Sequence, residues 1–308
     1  MKQTSDDRHE PLVSVIMPTY KRKPELVERA MNSLITQSYA NIEIVVVDDS
    51  PGDYQYRAIV KALLDKLASR DSRIYYYQNA SNQGGALARN KGIDLANGEF
   101  ITFLDDDDEY LPEKIEHQVT FMLEHKCDLS FSNMIMYDDS GKIVDRRSYF
   151  DISHFTQMEL FKYHLMYHFT GTPTFMFKAD KLREIGGFKD VKMGQEFYLM
   201  VRAIKGNLNI SYMDVCDVKI HKHNELAISN GPGKIKGEMD LYRFKLQYFD
   251  LFSKQEKRYI NFRHQVVLAV AFKRNQQYFN MIKKCFKCLF CYPDLTINES
   301  LNFLGKIK

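Results

Sequence analysis

One stretch limits what this chain can fold into. Phe100-Ile101-Thr102-Phe103-Leu104 runs straight into Asp105-Asp106-Asp107-Asp108. An apolar run of strand-forming residues like this reads as a buried strand of a parallel sheet. Four adjacent carboxylates repel one another and resist burial in a core. They make sense at the strand's carboxyl end, where open α/β sheets place their ligands. Oxygen donors there suit Mg²⁺ or Mn²⁺, especially a metal shared with substrate phosphates. The plainer alternative is a solvated acidic turn. A calcium loop fails: Tyr110 stands where an EF-hand needs glycine, Pro112 follows, and a strand rather than a helix precedes.

The segments before this stretch alternate in kind. Val13 to Met17 is a short β-branched run ending at Pro18-Thr19-Tyr20, followed by Lys21-Arg22-Lys23 and by Pro24, a good first helical residue. Leu26, Val27, Ala30, Met31 and Leu34 share one helical face. Ile42 to Val47 is a second strand, nearly continuous in apolar β-formers, and ends in Asp48-Asp49-Ser50-Pro51-Gly52. A second helix through Ile59 to Leu67 and a third strand, Ile74 to Tyr77, follow. Asn82-Gln83-Gly84-Gly85 is a glycine-rich loop opening a helix from Ala86 to Ala96, a geometry that suits close approach by phosphate or ribose. It is neither a dinucleotide fingerprint nor a P-loop. Arg89 in that helix reads either as a substrate partner or as a solvated surface arginine. The alternation predicts a doubly wound α/β arrangement, with Asp48-Asp49 and Asp105 to Asp108 on the same sheet edge.

The later segments are less regular. Leu111 to Leu123 is amphipathic and helical, Leu129 to Met136 reads as one more strand, and Asp139-Ser140-Gly141 as a hairpin turn. His154, His164 and His168 invite a metal reading, but without an H-E-x-x-H context solvated or core histidines are the better account. Phe175 to Phe177 reads as a strand after a loop from Thr170, and Gly186-Gly187 ends a short helix. Met193-Gly194-Gln195-Glu196 opens a helix to Lys205. Gly231-Pro232-Gly233 is the clearest linker, so the chain divides into 1–233 and a helical extension, 234–308. Cys285, Cys288 and Cys291 in the extension have helical spacing, and the fourth cysteine of an iron–sulfur run is missing.

Charge follows the same division. Residues 240–308 hold 13 Lys and Arg against 5 Asp and Glu, a balance of +8 that leaves −5 for the remainder of a chain with net charge +3. That net charge implies no nucleic-acid partner. A basic, aromatic-rich extension on an acidic body reads as a contact with a membrane surface, with a partner such as a second copy, or with the chain's own body. The polar stretch Met1 to Glu10 and five cysteines, an odd number, set the expectation of a cytoplasmic protein, with the inner face of the membrane as its peripheral contact.

Val13 to Tyr20, Ile44 to Ser50, Asn82 to Gly92 and Gly98 to Pro112, in that order and spacing, resemble the family 2 inverting glycosyltransferases of the GT-A fold. The resemblance covers roughly the first two-thirds of the chain. It implies a Rossmann-like mixed sheet flanked by helices, a nucleotide-sugar donor that is UDP-linked, a saccharide or lipid-linked acceptor, and a Mn²⁺ or Mg²⁺ cofactor. It gives Pro18, Thr19, Tyr20 and Asp49 to the nucleotide, with Arg89 in the same donor site. Asp107 falls to the metal, and Asp105 or Asp106 to the ribose. Asp108 is left as a helix cap. The catalytic base falls on Glu196, although Gln195-Glu196 stands where the family often has Glu-Asp. His221, in a segment from Asp217 to Ser229 that also holds His223, falls to a phosphate or metal contact. The alternative for Glu196 is a carboxylate that merely complements its helix N-terminus.

Two other functions compete. A nucleotidyltransferase making the sugar nucleotide would open with a glycine-rich basic loop where Pro18-Thr19-Tyr20 stands. A non-catalytic sugar-nucleotide-binding module would not need Asp49, Asp105, Asp107 and Glu196 all in place.

Overall fold

A computed structural model describes residues 10–149, 152–169, 171–222 and 233–307. The expectations at Met1 to His9, Thr170, His223, Ser229 and Gly231-Pro232 lie outside the described residues. The chain forms two compact units: Met1–Gln157, Phe169–Asp190 and Gln195–Lys222 in the first, and Met158–His168, Val191–Gly194 and His223–Lys308 in the second.

The first unit begins as the hydrophobic pattern dictates. β1 (Val13–Thr19), α1 (Pro24–Ile35), β2 (Ile42–Asp48), α2 (Arg57–Ala68), β3 (Ile74–Gln78), α3 (Gly85–Leu95) and β4 (Phe100–Phe103) follow one another. β1 pairs in parallel with β2 and with β4, and β2 with β3. β2 is buried throughout because helices cover both of its faces. Gly92 lets α3 lie close on β1, since a Cβ there would overlap Ile16 Cγ2. In α2 only Val60 and Leu64 are buried, and Ile59 is exposed.

Beyond β4 come β5 (Glu109–Tyr110), α4 (Lys114–His125), β6 (Leu129–Ser132), β7 (Met134–Asp138) and β8 (Ile143–Arg147). α5 (Gln157–Tyr167) leads out of the first unit, which resumes with β9 (Met176–Lys178), α6 (Ala179–Glu184), α7 (Gln195–Lys205), β10 (Ile210–Met213) and β11 (Val218–Lys222). The seven-stranded sheet runs β10-β6-β9-β4-β1-β2-β3, and a four-stranded sheet runs β5-β11-β7-β8. β9 is antiparallel to both β4 and β6, which makes the large sheet mixed.

The expected single strand from Leu129 to Met136 is two strands in two sheets. Asn133 marks the break: its backbone N–H donates to Val215 O (2.9 Å) and its Nδ2 to Asp214 Oδ1 (2.8 Å). These bonds replace ladder bonds and turn the chain from the large sheet into the small one. The hairpin at Asp139-Ser140-Gly141 forms as expected, with Gly141 at φ +80° and Asp138 Oδ1 accepting from the N–H groups of Ser140 and Lys142.

The second unit contains most of α5 with α8 (Gly233–Leu246), α9 (Lys254–Arg274), α10 (Tyr278–Cys291) and α11 (Pro293–Ile307). Ser253 starts α9 with a capping box on Glu256. His164 is buried in α5 and meets the His168 ring at 5.9 Å. Cys285, Cys288 and Cys291 lie along α10, with Cys288 buried and the other two exposed. Among the described residues no helix is long and apolar enough to cross a membrane.

Candidate active site

The site lies in the first unit, at the carboxyl edge of β1, β2 and β4. Thr19 pairs with Asp48 in register, so the turns after β1 and β2 leave the sheet side by side. They are tied there by Asp49 N–H to Thr19 O (2.8 Å) and Lys21 N–H to Ser50 Oγ (2.9 Å). Pro18 and Thr19 are thus the last residues of β1, and Tyr20 stands just beyond with an exposed ring.

Asp49 is buried, and its carboxylate is a hub. It accepts from Asn79 Nδ2 (2.8 Å), from Gln83 N–H (2.9 Å) and from Gly84 N–H (2.7 Å). The residue expected to hold a nucleotide base therefore also shapes the glycine-rich loop. Gly84 sits at φ +92°, a conformation that L side chains rarely adopt, immediately before α3 begins.

The four acids after β4 do not behave alike. Asp106 and Asp108 are buried. Burial pushes the Asp106 carboxyl up to about 6, with Arg22 drawing it down and Asp107 adding to the rise. Burial likewise holds Asp108 well above the ordinary carboxylate range, and the charges of Asp107 and Asp105 reinforce it. Asp105 and Asp107 reach solvent, with side chains 34% and 19% exposed. Arg22 compensates the cluster: its Nε meets Asp106 Oδ1 at 2.8 Å and its Nη1 meets Asp107 Oδ2 at 3.0 Å. Tyr20 N–H adds a bond to Asp106 Oδ2 at 3.3 Å.

Arg89 is not a solvated surface arginine: its side chain is 11% exposed. Its Nη2 pairs with Asp105 Oδ1, its Nη1 donates to Gln195 Oε1 (2.9 Å), and its guanidinium lies 5.5 Å from the Phe188 ring. It links the end of β4 to the start of α7, where Glu196 is the next, half-buried residue. Gln195, which departs from the expected acid, is thus a hydrogen-bond acceptor for Arg89.

His221 lies on β11. Its backbone N–H donates to Asp108 Oδ1 (2.9 Å), its Nε2 lies 2.7 Å from Glu109 Oε1, and its ring stacks on Tyr137. The expected helix-cap role of Asp108 gives way to this bridge between β5 and β11. Sequence reasoning missed Arg22, Asn79 and Glu109 as members of the site. Lys21-Arg22-Lys23 ends one strand of an edge whose neighbour ends in four acids, and that charge complementarity is the signal that would have found Arg22.

The donor set is all oxygen at its solvent-reached end, which fits a hard divalent cation. Among the described residues, no three or more His, Cys, Asp or Glu side chains are grouped so that they could hold a metal ion by themselves.

The model of a family described as Glycosyl transferase family 2 matches residues 14–186, more than half of the chain. The putative colanic acid biosynthesis glycosyl transferase WcaA of Escherichia coli K12 is 28% identical over 261 residues, 80% of this chain and 86% of its own length. The UDP-Glc:alpha-D-GlcNAc-diphosphoundecaprenol beta-1,3-glucosyltransferase WfaP of Escherichia coli is 37% identical over 128 residues, 42% of this chain and 48% of its own. Two further curated relatives are matched over about half of their length. Among solved structures, S. aureus TarS 1–349 in complex with UDP-GlcNAc superposes with a TM-score of 0.60 at 22% identity, covering 87% of this chain and 73% of that one.

Proposed function

The chain belongs to glycosyl transferase family 2 and is a glycosyltransferase on a GT-A fold, and from that premise we propose its donor, metal and stereochemistry. It moves a sugar from a UDP-linked donor to a hydroxyl of a saccharide or lipid-linked acceptor, in polysaccharide or glycolipid assembly, with inversion at the anomeric carbon. The observation that carries the reading is the juxtaposition of the acidic end of β4, the paired turns after β1 and β2, and the glycine-rich entry to α3. WfaP's UDP-Glc donor and diphosphoundecaprenol-linked acceptor support the choice of substrates, as does the UDP-GlcNAc bound to TarS.

In this reading Pro18, Thr19, Tyr20 and the loop shaped by Asp49 receive the nucleotide. Asp105 and Asp106 serve the ribose. Asp107 would hold Mn²⁺ or Mg²⁺ together with the donor diphosphate, and His221 would be a neighbouring phosphate or metal contact. When bound, the metal would supply positive charge to the leaving diphosphate. Arg22 and Arg89 already set guanidinium groups on these carboxylates, and such forks donate to phosphate oxygens as well. Glu196, in the first turn of α7, takes the acceptor proton. The basic extension serves as a contact with a membrane surface or with a second copy.

A panel of nucleotide sugars, assayed for free nucleoside diphosphate with Mn²⁺ and with EDTA, tests the reading. The expected result is metal-dependent UDP release with a product of inverted anomeric configuration by NMR. Pyrophosphate release, a retained configuration, or turnover indifferent to EDTA would each overturn the corresponding part.

A further inference from the structure

The helix α10 wears its apolar face on the outside. Phe279, Ile282, Phe286, Leu289 and Phe290 recur at helical spacing along one side and are all exposed, Phe279 at 71% and Phe290 at 78%. The opposite side faces α9: Lys284 Nζ donates to Gln265 Oε1 (3.1 Å), and Cys288 is buried. A helix packed into a globular unit normally turns its apolar stripe inward. Here the contact side carries Met281, a lysine and a cysteine, while the larger aromatic side meets solvent. Lys283 and Lys287, four residues apart, border the aromatic stripe, and α10 contains no Asp or Glu.

We propose that α10 lies in the plane of an anionic lipid surface, with Phe279, Phe286 and Phe290 entering the acyl boundary and Lys283 and Lys287 at the headgroups. Charge decides the occupant. A second copy of α10 would set lysines against lysines, whereas phosphate headgroups complement them. The helix is too short and too charged to cross a bilayer, so it would lie on the surface. The proposal deepens the reading of a lipid-linked acceptor: it names the surface on which such an acceptor would be met. It rests on that reading for its purpose and on α10 alone for its evidence.

The test is co-sedimentation of the full chain with phosphatidylglycerol vesicles and with phosphatidylcholine vesicles, at low and at high salt. The expected result is binding to the anionic vesicles only, weakened by salt. Lys283→Gln with Lys287→Gln should weaken it about 30-fold at low salt. Phe286→Gln with Phe290→Gln should abolish it at either salt while circular dichroism and UDP binding stay as in the wild type. Binding of this kind supports the proposal whether or not sugar transfer is detected, so failure of the transferase reading would show separately in the nucleotide-sugar panel. Absence of vesicle binding, equal binding to both lipids, or a dimer dissociated by the Phe substitutions without any vesicle binding would overturn it.

Discussion

Arg22 and Asp107 form an ion pair, Nη1 to Oδ2 at 3.0 Å, across 85 residues of chain, and this pair occupies the acid assigned to the metal. A metal on Asp107 would therefore compete with a guanidinium. Asp107→Asn should remove Mn²⁺-dependent tightening of UDP binding and nearly all turnover, while thermal stability changes by less than about 1 kcal/mol. Arg22→Gln should leave a metal response in place but weaken donor binding about 10- to 100-fold, as expected for a lost charge-assisted bond. Calorimetry with UDP, with and without Mn²⁺, separates the two. An Asp107→Asn protein that still tightens on UDP when Mn²⁺ is added would remove the metal assignment.

Asp49 has a second task that changes the expectation for its removal. Three donors from Asn79, Gln83 and Gly84 converge on it. Asp49→Ala should cost about 1.5–3 kcal/mol of stability and weaken UDP binding together. Asp49→Asn keeps an acceptor and should recover part of both. A lowered UDP affinity with an unchanged Tm in Asp49→Ala would mean that the loop does not depend on the carboxylate.

Glu196→Gln keeps the shape of the side chain and loses the proton acceptor. It should lower kcat by roughly 10²–10⁴-fold with donor affinity nearly intact, and Glu196→Asp should restore part of the rate. Wild-type turnover in Glu196→Gln would mean that the base lies elsewhere. Gln195→Ala is the useful control: it removes the acceptor for Arg89 and should raise the donor KM more than it lowers kcat.

Lys114 offers a pH test away from the site. It is fully buried, with Nζ donating to Thr102 Oγ1 at 2.6 Å and lying 4.0 Å from the Tyr110 ring centroid. Burial holds its amine well below the ordinary value of 10.5, with Asp217 pulling the other way. The unfolded chain binds a proton at Lys114 more readily than the folded chain does. Stability from this group is therefore complete above about pH 10.5 and declines as pH falls toward the depressed folded value. Lys114→Met should raise stability at pH 7 by roughly 1–3 kcal/mol and flatten that slope. Denaturant melts from neutral to alkaline pH measure both; an unchanged slope would mean that the amine stays charged in the fold.

What could be read from the sequence follows from how local each cause is. β1, β2 and β4 announce themselves because a strand covered on both faces must be a continuous apolar run, and the acids at their ends then mark the binding edge. Helix α7 was legible from Gly194 onward for the same local reason. The break at Asn133 was not, because Ser130 and Ser132 alternate with apolar residues as in a continuing strand and a single Ser-Asn step does not by itself mark a turn; the partners that enforce it, Asp214 and Val215, lie some eighty residues away. The ion pairs of Arg22, the saturation of Asp49 and the bond from Arg89 to Gln195 are also products of folding. Each joins residues that the sequence shows only as separate polar positions. Asp105 to Asp108 illustrate the limit: four identical side chains in a row differ only because the fold buries alternate ones.

The antiparallel strand β9 sets a timetable for assembly. β3, β2, β1 and β4 are all synthesised by residue 103 and can pair as soon as they emerge. One edge of β4, the apolar Phe-Ile-Thr-Phe, then waits for Met176–Lys178. β6 waits for the same three residues, since it joins the large sheet through β9. A nascent or truncated chain ending before about residue 178 would therefore display a bare, uncharged strand edge, the kind that recruits neighbouring chains. Shortened versions of this protein cut between β4 and β9 should aggregate, whereas a chain carrying β9 closes that edge itself.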